Sequence, residues 1–197
     1  MSDPQHFTAF ASSHFAALGV VALAIVLIPW SVRRHGSAAW QRRIGLALAG
    51  LMLAQECVKT GVRVVLYDAR LAEQLPLLLC GMALLLGAYV LVRQSRPVYE
   101  IAYFWAITGT LPALFTPALA YDFPHPFFFV FFFGHGLILL AVAYATVVYG
   151  LRPRLRSIGR AILVTIGYVA VLFPVNWLLD ANYLFLRDKP ADRTLLA

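Results

Sequence analysis

The sequence has only two cysteines in 197 residues, Cys57 and Cys80. Two thiols make no disulfide framework and no metal-ligand pattern, and nothing in the sequence calls for an organic cofactor. No basic stretch precedes the first apolar run, as a cleavable signal peptide requires; Arg33 and Arg34 follow it instead, so that run is expected to stay as a first span with its N terminus outside. The alternation of apolar and polar residues that marks a membrane β-barrel is missing, because runs such as Phe127 to Phe133 are apolar on every face. A basic patch is missing too. The 16 Lys and Arg residues give a formal charge of +7, but they lie in short turns between apolar runs. This argues against nucleic-acid binding and leaves topology, with some attraction to anionic lipid head groups, as what the charge reports.

What the sequence has is apolar mass. Hydrophobic residues make up 61% of the chain and mean hydropathy is +0.78, against roughly 45–50% apolar usage in soluble domains. With about 20 residues needed per crossing, the expectation is an all-α polytopic membrane protein. It is read as a single domain over residues 1–197 with six spans at about 14–31, 44–62, 75–92, 99–118, 126–149 and 159–180. Pro97, Pro153 and the group Pro117, Pro124 and Pro126 fall at or between these runs, where a missing N–H is tolerated. No internal repeat is strong enough to suggest an inverted-repeat transporter. With the N terminus outside, the inner turns carry ten of the basic residues and the outer segments six, as the positive-inside rule favours. Both termini then face outward, and the protein belongs in a cell membrane, the bacterial inner or plasma membrane.

Polar side chains within spans are expensive unless paired or facing a cavity, which makes them informative. His14, Gln55, Glu56, Lys59, Cys80, His135, Asn176, Asp180 and Asn182 all fall in the outer half under this topology. Cys80 and His135 lie roughly 8 and 14 Å below the surface at 1.5 Å per residue, near enough in depth to meet. An imidazole that takes the thiol proton creates a nucleophile. Read blandly, Cys80 is a small hydrophobe and His135 a helix-packing hydrogen bonder. Gly134 and Gly136 remove bulk around His135, either for an acyl chain or as a packing notch. The phenylalanines at 127–129 and 131–133 read mainly as a lipid-facing surface. Glu56 and Lys59, three apart, neutralise each other, or Glu56 orients a histidine. Pro174 is expected to kink span six beside Asn176 and Asp180, which suits either a pocket wall or helix packing.

Four segments together resemble a known family: Phe10 to His14; Leu75-Pro76-Leu77-Leu78-Leu79-Cys80; Gly134-His135-Gly136; and Asn176 with Asn182-Tyr183-Leu184-Phe185-Leu186 and Lys189-Pro190. In order and spacing they are similar to the YwaF-like bacterial membrane proteins, whose eukaryotic relatives are the transmembrane protein 164 acyltransferases. A more distant likeness is to androgen-induced membrane hydrolases, which use a Thr and His pair. The resemblance implies a six-helix enzyme in which Cys80 and His135 handle lipid acyl groups. It also shows a departure, since many members have His two residues before the Cys where this chain has Leu78.

The expected activity is acyl transfer or ester hydrolysis through an acyl-thioester on Cys80, with His135 as base and then acid. The substrate would be a membrane phospholipid or other fatty-acyl ester. His14, Gln55, Glu56, Asn176, Asp180, Asn182 and Tyr183 are the candidate supporting or cavity residues. The alternative is a small transporter or ligand-binding protein with an outer-half polar cavity using Glu56, His14, His135 and Asp180. A non-enzymatic assembly subunit is the third.

Overall fold

The computed structural model describes residues 6–187. The helices are α1 (Ser12–His35), α2 (Ala38–Leu66), α3 (Leu71–Gln74), α4 (Leu79–Arg93), α5 (Arg96–Trp105), α6 (Leu111–Phe115), α7 (Pro126–Val147) and α8 (Arg156–Leu179). A π-helical turn, Ala106–Thr110, joins α5 to α6, and a 3-10 turn, Tyr183–Phe185, follows α8. With α3 set aside as a single turn and α5 to α6 taken as one rod, six rods run back and forth. Among the described residues there is no strand beyond one isolated bridge, His6 to Tyr121. The protein is an all-α membrane protein. By length and composition, α1, α7 and α8 are long and apolar enough to cross a bilayer.

Helix α7 is the axis of the packing. Over half of its most apolar window is buried, 56% against 17% in α1 and 11% in α8, and α1, α2, α4 and the α5 to α6 rod all contact it. Close approach rests on small residues. Gly87 of α4 meets Met52 of α2 and Ala141 of α7, and Ala83, Ala88, Ala102, Ala106 and Ala145 are all buried. Such residues let helices approach without an aqueous hydrophobic drive. The outer faces carry large exposed hydrophobics, including Leu163 at 72% and Leu178 at 84% exposure. A surface of that kind fits hydrocarbon, not water.

The rods have two distinct ends. At one, Arg42 donates to Leu91 O at 2.9 Å and Arg96 to Arg152 O at 3.2 Å, while Glu100, 3% exposed, is held by Arg160 at 2.6 Å and by Arg96 at 3.8 Å. Glu100 is a buried acid at the end opposite the one where polar residues were expected to gather. It sits one residue inside the expected fourth span, Arg96 lies just before that span and Arg160 one residue inside the expected sixth, so hydropathy alone hid the cluster. At the other end, Phe7 N donates to Ala120 O at 3.3 Å, and Arg70 and Arg187 flank the exposed Asp180. These guanidiniums, Arg187 first, hold the Asp180 carboxyl below its usual range.

Helix bounds differ from the expected runs where polar caps or prolines act. Helix α2 extends beyond 44–62 at both ends. Its start is capped by Ser37, which accepts from Trp40 N at 3.3 Å. Helix α4 begins four residues later than the run at 75, because Pro76 holds Leu75 extended (φ −61°, ψ 148°). Helix α8 continues through Pro174 to Asp180, which caps it in the left-handed region at φ 48°.

Asn176, fully buried, closes a ring with the chain beyond α8. Its Nδ2 donates to Tyr183 O at 2.9 Å, and Tyr183 N donates to its Oδ1 at 2.7 Å. Replacing Asn176 by Ala removes both bonds and leaves two buried backbone groups unpaired, an expected loss of about 2–4 kcal/mol. Asp180→Asn weakens only exposed pairs, so its midpoint should stay close to that of the unmutated protein. Unfolding midpoints of the two variants in detergent should separate clearly; equal midpoints would remove the ring from the stability account.

Candidate functional site

Cys80 is the second residue of α4, and the chain before it is a strap tied from several sides. Tyr183 Oη donates to Ala72 O at 2.6 Å and accepts from Leu75 N at 3.1 Å; Tyr168 Oη donates to Leu77 O at 2.7 Å. The segment Leu75 to Leu78 is therefore fixed by α8 and the turn after it. Gly81 completes the fit: a Cβ there would sit 2.8 Å from Pro76 Cα. Leu78, the N-cap residue, offers no side-chain acceptor to the first turn and is itself 46% exposed. The first N–H groups of α4 thus lack a side-chain cap beside Cys80, and they carry the positive end of the helix dipole.

The Cys80 sulfur lies 3.9 Å from Thr110 Oγ1. Thr110, 1% exposed, ends the π-helical turn. Pro112 explains that turn. It has no N–H for the carbonyl four residues earlier, and the wider register, with Leu111 N bonded to Ala106 O, relieves its ring. Sequence reasoning missed Thr110, although a Thr two residues before a Pro inside an apolar run is a readable sign.

His135 lies on α7, stacked on Phe131 with ring centroids 4.1 Å apart, and its Nδ1 is 2.9 Å from Phe131 O. A carbonyl only accepts, so Nδ1 carries the proton and Nε2 keeps a lone pair in the neutral ring. Among the described residues no hydrogen bond engages Nε2, and none joins His135 directly to Cys80. The flanking glycines face different helices. A Cβ at Gly134 would lie 2.8 Å from Gln55 Nε2 of α2, and one at Gly136 would lie 3.0 Å from Val21 Cγ2 of α1.

The helices that carry the two candidates, α4 and α7, pack on each other and on α2. The α2 face toward them carries Gln55, Glu56 and Lys59. Lys59 pairs with Glu56 at 2.5 Å. Gln55 Nε2 donates to Val130 O at 3.2 Å, while its Oε1 is buried without a partner.

The other sequence candidates lie in structural roles. His14 is fully buried, accepts from Phe10 N at Nδ1 (2.9 Å) and donates from Nε2 to Leu114 O (2.8 Å), joining α1 to α6 with both nitrogens engaged. Asn182 Oδ1 accepts from Arg187 N at 3.0 Å. Asn176, Asp180, Asn182 and Tyr183 form the turn that holds the Cys80 strap. Lys189 and Pro190 of the last motif lie outside the described residues.

An alanine at Gly81 should expose this tight fit. Helix propensity alone favours Ala by about 1 kcal/mol, yet contact with the Pro76 backbone should reverse the sign, with a net loss of roughly 1–3 kcal/mol. Gly134→Ala, which meets only the end of the Gln55 side chain, should lose less. Unfolding midpoints and maleimide labelling of Cys80 read both. A stabilised Gly81→Ala with unchanged labelling would contradict this account of the strap.

The family model of the TMEM164 family matches residues 3–197. An uncharacterised protein of Treponema pallidum (strain Nichols) is 26% identical over 196 residues, covering 98% of this chain and 80% of the relative. No solved structure matches. With the match running over nearly the whole chain, this protein belongs to the TMEM164 family.

Proposed function

We propose that the protein is a membrane lipid acyltransferase or ester hydrolase working through an acyl-thioester on Cys80. The observation that supports the reading is that α4, which carries Cys80, packs on α7, which carries His135, while His135 Nδ1 is engaged by Phe131 O and Nε2 keeps its lone pair. Membership of the TMEM164 family and the resemblance to transmembrane protein 164 acyltransferases support it.

His135 Nε2 withdraws the thiol proton, through one water where the side chains stay out of direct contact. Sγ attacks the ester carbonyl, the C–S bond forms, and the oxyanion collapses with loss of the lysolipid oxygen. That oxygen takes the proton from the imidazolium. In the second half His135 deprotonates a lysolipid hydroxyl or water, which attacks the thioester, and the proton returns to the departing sulfur. Thr110 positions Sγ. The uncapped N–H groups opening α4 and the Lys59 ammonium are the donors nearest to a developing oxyanion, a contribution of about 3–4 kcal/mol for one well-placed donor. Gln55, beside Gly134, offers Oε1 to an acceptor hydroxyl.

In this reading all six rods cross the bilayer as one domain, both termini face outward, and Cys80 lies just below the outer head groups of a cell membrane. The transporter reading gains no comparable support, since the buried acids Glu56 and Glu100 are both paired with basic side chains.

Purified protein given an acyl-lipid donor should carry a hydroxylamine-labile acyl group on Cys80. The adduct should be absent in Cys80→Ala, fall by roughly two orders of magnitude or more in forming rate in His135→Ala, and fall less in Thr110→Val. Full lipid-remodelling activity in Cys80→Ala would overturn the proposal. Independently, topology reporters fused at either terminus should report the outer side, and a cytoplasmic C terminus would place the pair on the inner leaflet.

A further inference from the structure

One turn of α2 above Lys59, at the end where the Cys80 strap lies, a depression of about 290 Å³ opens between Arg63, Tyr67, Ala69, residues 118–121 and Phe127. Arg63 sits over the Phe127 ring at 5.2 Å, and Tyr67 packs against the same ring at 4.7 Å. Tyr121 lies on its other side at 6.3 Å and stacks on His125. The cation in this aromatic setting has no carboxylate. Among the described residues Arg63 makes no ion pair, and its polar side-chain contact is the neutral Gln74 Oε1 at 3.4 Å. Lys59, Arg70, Arg96, Arg160 and Arg187 all have acidic partners. The acids in the neighbouring loops do not supply one: Asp122 accepts from Ser13 at 2.8 Å and from Phe123 N, and Asp68 makes no ion pair with Arg63.

A guanidinium fixed against an aromatic face presents its fork to a phosphate, and Tyr rings suit the head-group layer. The spacing to the chemistry fits as well. Arg63 is four residues from Lys59, a rise of about 6 Å, comparable to the step from the phosphate of a glycerophospholipid to the ester carbonyls on the same glycerol.

We propose that the Arg63 depression binds the phosphate of a membrane glycerophospholipid and so sets one of its ester carbonyls at the level of Lys59, Cys80 and His135. This rests on the reading of Cys80 and His135 as the acyl-handling pair and adds the head-group class that this pair receives. Phosphate is the shared chemistry of lipid and free anion, and the lipid is the source favoured by the aromatic walls.

The test separates binding from chemistry by using full-length Cys80→Ala protein in detergent, titrated with phosphatidylglycerol or with diacylglycerol of the same chains and read by native mass spectrometry. Phosphatidylglycerol should be retained about tenfold more weakly when Arg63→Gln is added, the loss of one charge-assisted contact. Arg63→Lys should fall between, and diacylglycerol should bind the two proteins alike. Arg63 is exposed, so unfolding midpoints should stay matched and keep the comparison fair. Unchanged phosphatidylglycerol retention in Arg63→Gln would overturn the proposal. So would inorganic phosphate alone binding as tightly as the lipid in an Arg63-dependent way. If no adduct forms on Cys80 in the unmutated protein while Arg63-dependent retention persists, the thioester chemistry fails and the head-group site stands.

Discussion

The start of α4 is held by two phenolic hydroxyls, those of Tyr183 and Tyr168. Tyr183 Oη bridges Ala72 O and Leu75 N, and its own backbone is clamped by the amide of Asn176. Because Pro76 forbids helix at Leu75, the chain from 75 to 78 has unpaired backbone groups that the α4 ladder cannot satisfy. Tyr183 and Tyr168 satisfy two of them from α8 and beyond. The point where α4 begins is therefore set from outside α4, and with it the depth and direction of Cys80. The two most specific motifs of the sequence, about a hundred residues apart, are two halves of one joint.

The histidines illustrate how a tautomer assigns a role without any conservation argument. His14 has a backbone N–H on Nδ1 and a carbonyl on Nε2, so both nitrogens are satisfied and the ring works as a bracket. His135 has a carbonyl on Nδ1, which places the proton there and leaves Nε2 basic. The same residue type yields a bracket with both nitrogens engaged in one case and a ring with a lone pair left on Nε2 in the other. What differs is whether the carbonyl falls on Nε2 or on Nδ1.

Fold class was legible because hydropathy acts over whole spans, and a polar or apolar excess of twenty residues leaves little ambiguity. The family was legible from Leu75 to Cys80 and from Asn182 to Leu186, where order and spacing compensate for short motifs. Thr110 was missed: the Thr-x-Pro pattern marks a polar residue at an irregularity, but its place beside Cys80 depends on a register change upstream of Pro112 that periodicity does not encode. Gly81 was not singled out either, since its need for Gly comes from the Pro76 backbone folding over it, a contact made only once the strap turns. Glu100 escaped because its closer partner, Arg160, comes from another helix, α8. Local pattern finds what a residue is; the partner across the bundle decides what it does.

The charge arrangement on α2 follows from the cost of placing ions near hydrocarbon. Lys59 alone near hydrocarbon would carry a large desolvation penalty, and Glu56, three residues earlier on the same helix, reduces it by making a pair with no net charge. A pair of that kind is still a dipole with an orientation. In the proposed acyl transfer, negative charge appearing on sulfur or on an attacked carbonyl would meet its positive end already in place, with no solvent to reorganise. Gln55, one residue before Glu56, adds an amide whose donor is engaged by Val130 O and whose buried acceptor is not engaged. An unpaired acceptor in that position is costly in an empty site and favourable once a hydroxyl arrives; in the proposed acyl transfer, the same short stretch of α2 serves as counter-charge for the first half and receptor for the second.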